Sequence, residues 1–196
     1  KALLVFDRID DRISAPKVAI DDYRAGYLAT SHLIEQGYRR IAYVSTASTI
    51  KIFEDRYEGY IHALQEHGLS VDPRLVIREG ISIEAGINAT RHLLNQPRRP
   101  DAIIGGDDFT ALGVLNVLNE GQIDSGEIGV VGFANQTFSA YINPSLTTID
   151  QQAEKMGEES ARLFLTMLQS ADPVGLSTTR VILDPILIVR DSTRKN

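Results

Sequence analysis

The chain has 196 residues, enough for one large domain or two small ones, and its 43% of hydrophobic residues is typical of a globular protein. A formal net charge of −6 argues against nucleic-acid binding by this chain itself, because phosphate binding requires a basic face. The absence of cysteine excludes disulfides and cysteine-ligated zinc, and no apolar run reaches the ~20 residues that span a membrane.

The first part of the chain alternates short apolar runs with amphipathic stretches. Residues 2–6 and 18–20 are predicted to form strands, the first ending at Asp7 and the second at a pair of aspartates that can cap a helix. Apolar residues at helical spacing follow that pair and predict a helix that ends at Gly37.

The same alternation continues in the middle of the chain. Apolar runs at 41–45 and 75–78 predict two further strands, and an apolar stripe over 57–64 predicts a helix between them. Ser82 is suited to cap the helix that comes next.

Residues 101–133, DAIIGGDDFTALGVLNVLNEGQIDSGEIGVVGF, contain a strand, an acidic turn, a helix and a second strand. The strands are predicted at Ala102–Gly105 and at 128–133, and the helix between them ends at Gly121. Two strands joined by a helix form a right-handed βαβ unit, and ligands of such sheets bind beyond the carboxyl ends of the strands. The acidic turn stands at such an end.

The alternation stops after this unit. An extended piece is predicted at 146–149, and a long amphipathic helix begins near Ala153. Two more extended pieces, Arg180–Leu183 and 186–189, are separated by Pro185, which cannot donate to a strand ladder. The whole pattern predicts an α/β fold with a mainly parallel sheet.

Several motifs occur in a fixed order along nearly the whole chain. They are HLIEQGYRRIAYVS, DRYEGYIHAL, GGDDFTALGVLNVLNEG, EIGVVGF and NPSLTTIDQ. The ordered set resembles the effector-binding domain of LacI/GalR-type bacterial transcription regulators. The resemblance implies the type I periplasmic-binding-protein fold, in which two parallel-sheet, Rossmann-like subdomains are joined by three crossovers.

The resemblance also implies a division of the chain, with most of the first subdomain missing. Residues 1–21 are expected to be a remnant of the first effector subdomain, and residues 22–148 the second. Residues 149–184 are expected to return to the first subdomain and 185–196 to the second. The helix-turn-helix DNA-binding domain of the family is absent from the chain.

Arg56 is the most informative cation. It follows a polar loop at the start of a predicted helix, where its planar guanidinium suits ligand hydroxyls or a carboxylate. The alternative is a surface arginine paired with Glu54 or Asp55. The resemblance places the effector-binding arginine of the family at Arg56.

Three aspartates stand at predicted strand ends. Asp107 is either a helix cap or, as the resemblance implies, an effector contact, and Asp108 is the better candidate for pure capping. Asp7 is either a loop carboxylate or a residue of the family's cleft. A metal site at Asp107 and Asp108 finds little support, because spacing supplies no third ligand, and no metal is expected.

The remaining effector-binding candidates lie in loops or at a crossover over the same strand ends: Ile52, Phe53, Ile81 and Gln151. For the three apolar residues the alternative is local packing, and for Gln151 it is a hinge role. One position departs from the family pattern, because Ala134 replaces an aspartate that binds sugar hydroxyls in many members. Either Asn135 takes over this role or the ligand differs, so the resemblance does not identify a specific sugar.

The resemblance implies a cytoplasmic effector-sensing domain of a transcriptional regulator, which binds a small polar metabolite, with a sugar favoured, and needs no cofactor. It implies a homodimer, and Leu112, Leu115 and Tyr141 match the family's dimer face, although periodicity also allows the two leucines to be core. An operator would be bound only through the absent helix-turn-helix, and no membrane partner is expected.

Two other classes of function stay open. A periplasmic sugar-binding protein of a transporter shares the fold and is the main alternative. An enzyme is disfavoured, because neither a nucleophile elbow nor a glycine-rich phosphate loop is present.

Overall fold

Five helices and nine strands occupy the described part of the chain in the computed structural model, namely residues 2–48, 50–170 and 175–195. The helices are α1 (Asp22–Glu35), α2 (Lys51–Glu66), α3 (Ile83–Leu94), α4 (Asp108–Glu120) and α5 (Ala153–Gln169). The strands are β1 (Val5–Phe6), β2 (Lys17–Ile20), β3 (Ile41–Val44), β4 (Val76–Ile77), β5 (Ala102–Gly105), β6 (Gly129–Phe133), β7 (Thr147–Asp150), β8 (Arg180–Leu183) and β9 (Ile186–Ile188). Short 3-10 helices lie at Pro73–Leu75, Thr137–Ala140 and Asp191–Thr193.

The strands form two sheets of unequal size. The larger sheet has six strands in the order β4-β3-β5-β6-β7-β9, and only the β7–β9 pair is antiparallel. The smaller sheet has the order β1-β2-β8, and both of its pairs are parallel. The α/β prediction with a mainly parallel sheet is therefore confirmed.

The core of the larger sheet lies on both of its faces. Alternate residues of a strand point to opposite sides: in β3, Ile41 and Tyr43 face α1 and α2, whereas Ala42 and Val44 face α3 and α4. A strand covered on both faces has no polar side, which explains its uninterrupted apolar sequence.

Helices α1 and α2 approach each other closely because of a glycine. A Cβ atom on Gly26 would lie 2.0 Å from the carbonyl oxygen of Arg56. Only glycine tolerates this contact. The contact brings the backbone of Arg56 against α1, the helix that also carries Asp22.

The chain passes between the two sheets three times: after β2, after β7 and between β8 and β9. The three connections touch one another. Asp21 N–H donates to the Leu183 carbonyl, the Gln152 amide donates to the Asp184 carbonyl, and the Arg24 guanidinium lies 3.4 Å from the Asp184 carboxylate. The subdomain boundaries assigned above stay a prediction.

Some strand bounds differ from those predicted. The first strand is shorter than 2–6, because pairing with β2 begins only at Val5. The strand predicted at 75–78 is reduced to β4, because a 3-10 helix at Pro73–Leu75 occupies its start. In the described part of the chain, no helix is both long and apolar enough to cross a bilayer.

Candidate functional site

A cavity of about 160 Å³ lies beyond the carboxyl ends of strands from both sheets. Its lining comprises Asp7, Arg8, Ile52, Phe53, Arg56, Ile81, Gly106, Asp107, Asp108, Phe109, Ala134, Gln136 and Gln151. Of the predicted effector-binding residues, only Asn135 is missing from this lining. The structure thus brings together side chains that are far apart in the sequence, and their role in binding stays a prediction.

Arg56 forms part of the cavity floor and is buried, with 2% of its surface exposed. Its Nε donates to Asp22 Oδ1 over 2.8 Å, and its Nη1 donates to the Gly106 carbonyl over 3.1 Å. Its guanidinium carbon lies 4.7 Å from the centre of the Phe133 ring, a cation–π contact. Arg56 is therefore not the surface arginine of the alternative interpretation.

The two acidic residues near Arg56 in sequence have partners of their own. Glu54 pairs with Arg78, and Asp55 pairs with Lys51 one helical turn away. Sequence spacing could not identify Asp22 as the partner of Arg56, because 34 residues separate them.

Asp107 caps helix α4. Its Oδ1 accepts from the Thr110 N–H over 2.7 Å, and the residue also lines the cavity. Asp107 thus combines a capping contact with a position from which a ligand hydroxyl can be reached.

Asp108 does not cap the helix, so the prediction of a pure capping role is wrong. The side chain is fully buried and accepts from Thr148 Oγ1 (2.6 Å), Ser139 Oγ (2.7 Å) and the Gln136 N–H (2.7 Å). Burial raises the pKa of Asp108, while these three hydrogen bonds act to lower it. Its carboxylate joins the start of α4 to strand β7 and to the loop and 3-10 helix that follow β6.

The loop after β6 forms one wall of the cavity with left-handed backbone. Ala134 has φ of 110° and Asn135 has φ of 49°, values that side-chain-bearing residues seldom adopt. The Asn135 amide donates to Asp150 Oδ2 and accepts from Arg190, so its side chain is engaged away from the cavity. Gln136, which the sequence analysis missed, lines the cavity in its place.

The rim of the cavity carries further residues that the sequence analysis missed. Arg8 lies beside Asp7, with 3.9 Å between Nε and Oδ2. Phe109 is 44% exposed and its ring centre lies 5.2 Å from that of Phe138. The signal available in the sequence for Phe109 was an aromatic residue directly after the acidic turn, at the start of a predicted helix, whereas the loop position of Arg8 gave none.

The three candidates for a dimer face differ in exposure. Tyr141 is 83% exposed and Leu112 is half-buried, whereas Leu115 is only 4% exposed and belongs to the core under α4. Leu115 also lines a second cavity, of about 330 Å³, at the amino end of β6. The structure therefore assigns Leu115 to the core, which is the alternative that periodicity left open.

Metal binding has no built site in the described part of the chain. There, no group of three or more histidine, aspartate or glutamate side chains is arranged to hold an ion. The aspartate pair at the start of α4 instead has the hydrogen-bond partners given above.

Most of the chain matches a known family of domains. Residues 30–193 match a family model described as a periplasmic binding protein-like domain. The HTH-type transcriptional repressor CytR of Escherichia coli K12 is 33% identical over 183 residues, which are 93% of this chain and 53% of that protein. The chain thus spans about half the length of this relative.

Solved structures of regulators have the same fold. The complex of the transcriptional regulator CelR with cellobiose is 30% identical, with a TM-score of 0.84 over 96% of this chain and 58% of that one. A LacI family transcriptional regulator from Enterococcus faecium with bound ribose is 27% identical, with a TM-score of 0.87 over 98% of this chain and 70% of that one.

Proposed function

Because the chain belongs to the periplasmic binding protein-like domain family, we propose that it is the effector-sensing part of a LacI-type transcriptional regulator. A sugar binds in the cavity between the two sheets and changes the affinity of the complete protein for operator DNA. The sugar-bound relatives, CelR with cellobiose and the Enterococcus faecium regulator with ribose, support this class of ligand.

The proposal rests on one observation: the cavity is lined by residues that are positioned by both sheets. Asp7 and Arg8 follow β1 of the smaller sheet, whereas Asp107 and Ala134 follow β5 and β6 of the larger sheet and Arg56 lies on α2, which packs against that sheet. A ligand that contacts both groups binds one relative orientation of the sheets better than another. Such differential contact is the requirement for a ligand to shift a conformational equilibrium.

The chemistry of the lining suits a sugar. The carboxylates of Asp7 and Asp107 can accept from hydroxyls, and Gln136 and Gln151 can both donate and accept. The exposed ring of Phe109 offers an apolar surface for the C–H face of a pyranose or furanose.

The family also indicates which partners the complete protein has. We propose a cytoplasmic homodimer that contacts DNA through a helix-turn-helix in the part of the protein that precedes this chain. Leu112 and Tyr141 lie on the proposed dimer face.

Calorimetry on the complete gene product tests the proposal. A panel of cellobiose, ribose, glucose and galactose should include a binder whose affinity Asp7→Ala lowers at least tenfold, because the variant removes a hydroxyl acceptor. Asp11→Ala is the matched control, since Asp7 and Asp11 are similarly exposed (45% and 46%) and Asp11 lies outside the lining. If no sugar binds, or if both variants behave alike, the proposal is wrong.

A solute-binding protein of a transporter remains the alternative, because the family description covers that class as well. The coding sequence upstream of Lys1 separates the two: a regulator requires a basic helix-turn-helix there, and a transporter protein requires an export signal. The named relatives are all described as regulators, which favours the first reading and gives an enzyme no support.

A further inference from the structure

The floor of the cavity contains a buried ion pair. The side chains of Arg56 and Asp22 are 3% and 6% exposed, and Nε lies 2.8 Å from Oδ1. Arg56 contacts the cavity, whereas Asp22 lies behind it and outside the lining. A ligand therefore meets a guanidinium whose positive charge is already offset by a carboxylate.

The other charged groups of the site do not restore a positive potential. The second lining cation, Arg8, lies 3.9 Å from Asp7. Asp107 and Asp108 add two more carboxylates to the lining. With Asp22 included, four carboxylates surround two guanidinium groups, so the site repels an anion.

Building on the proposed function, we propose that Asp22 is a positioning residue that sets the charge specificity of the site. By holding and neutralising Arg56, it lets the cavity accept neutral sugars and reject acidic sugars, such as uronic acids. Without this partner, Arg56 would be a free guanidinium next to the ligand, the group that proteins use to bind carboxylates in a bidentate manner.

The pH provides a second way to remove the negative charge of Asp22. Burial raises the pKa of Asp22 to about 6, although Arg56 acts to lower it; Asp55 of α2 and Asp7 after β1 add to the rise. As the pH falls through 6, Asp22 takes up a proton and Arg56 loses its counter-charge. A sugar carboxylate stays ionised down to about pH 4. Any change in the affinity for the acidic sugar near pH 6 therefore arises from the protein and not from the ligand.

The test compares neutral and acidic forms of the same sugar by calorimetry on the complete protein. The probes are the neutral sugar that binds in the panel of cellobiose, ribose, glucose and galactose and the acid made from that sugar, such as glucose with glucuronate or galactose with galacturonate. In the wild type at pH 7.5, the neutral sugar should bind at least tenfold more tightly than its acid. Asp22→Asn keeps the acceptor for Arg56 Nε but removes the charge, so it should reduce this ratio at least tenfold.

Asp55→Asn is the matched control, because it removes a carboxylate next to Arg56 in sequence that lies outside the lining and pairs with Lys51. At pH 7.5, where Asp22 is ionised in both proteins, the ratio of neutral to acidic affinity in this variant should equal that of the wild type. The wild-type ratio should also fall when the pH is lowered from 7.5 to 5.5, and it should not change with pH in Asp22→Asn. A purely structural role for Asp22 would not produce a pH dependence that this variant removes.

The outcomes separate this inference from the proposed function. An acid that binds as tightly as its neutral sugar to the wild type, or an unchanged ratio in Asp22→Asn, overturns the inference and leaves sugar sensing intact. Absence of binding by every sugar, neutral or acidic, overturns both. If Asp22→Asn does not fold, a wild-type ratio that stays constant between pH 7.5 and pH 5.5 still overturns the inference.

Discussion

Asp107 and Asp108 are adjacent carboxylates with different surroundings. Asp107 accepts one backbone N–H at the start of α4, whereas Asp108 accepts two buried hydroxyl donors and the part-buried Gln136 N–H. The loss of a cap costs about 1 kcal/mol, and each buried donor left without an acceptor costs about 1–3 kcal/mol.

We therefore expect Asp108→Ala to lower the free energy of unfolding by about 3 kcal/mol or more, and Asp107→Ala by only about 1 kcal/mol. Urea denaturation of the two variants measures both values. Equal losses, or a larger loss for Asp107→Ala, would contradict the roles assigned to the two residues.

Sequence reasoning could place these residues at the site but could not separate their roles. Both are able to cap a helix, and the choice depends on contacts with residues far along the chain, such as Thr148, which is 40 positions from Asp108. The same limit applies to Arg56 and Asp22. Strand-end position was visible in the pattern, whereas the partner of each buried polar group was not.

At the scale of elements, the α1–α2 contact depends on Gly26. A Cβ atom there would lie 2.0 Å from the Arg56 carbonyl oxygen, so the helices would have to separate. Gly157 in α5 is the opposite case, because a Cβ atom on it would meet nothing within 4 Å.

Gly26→Ala should therefore destabilise the protein by about 2 kcal/mol or more, whereas Gly157→Ala should stabilise it by about 0.5–1 kcal/mol through helix propensity. Thermal unfolding followed by circular dichroism measures the two shifts, which should have opposite signs. A Gly26→Ala protein that is as stable as the wild type, or more stable, would mean that close packing of α1 on α2 is not required.

Periodicity identified the helices and most of the strands, because each has an apolar face or a continuous apolar run. The start of α2 was an exception: the helix begins at Lys51, so Ile52 and Phe53, which were predicted to lie in a loop, belong to its first turn. Periodicity also failed where pairing, rather than hydrophobicity, decides the bounds. Residues 2–4 are all apolar but precede the first pair of β1 with β2, at Val5 and Lys17. The ends of β4 depend in the same way on a local 3-10 helix.

At the scale of the whole molecule, the proposed dimer can be tested at the surface that contains Tyr141. Tyr141→Asp places a charge on a residue that is 83% exposed, so the fold should be unaffected. Light scattering on the complete protein should show the mass of a monomer, because a buried charge at an interface is costly.

Tyr23→Asp on α1 is the control for this experiment, since Tyr23 is another exposed tyrosine, at 39%. Its mass should stay that of the dimer. Leu115 is unsuitable for the test because it is core. A dimeric Tyr141→Asp protein would rule out the proposed face.

The three neighbouring connections between the sheets restrict how the two halves of the molecule can move. Three neighbouring links allow the two halves to bend about the line that joins the links, but they resist twisting and sliding of one half against the other. A single proteolytic cut in any one of them would leave the halves attached by the other two. The nicked protein should therefore still open and close as one unit.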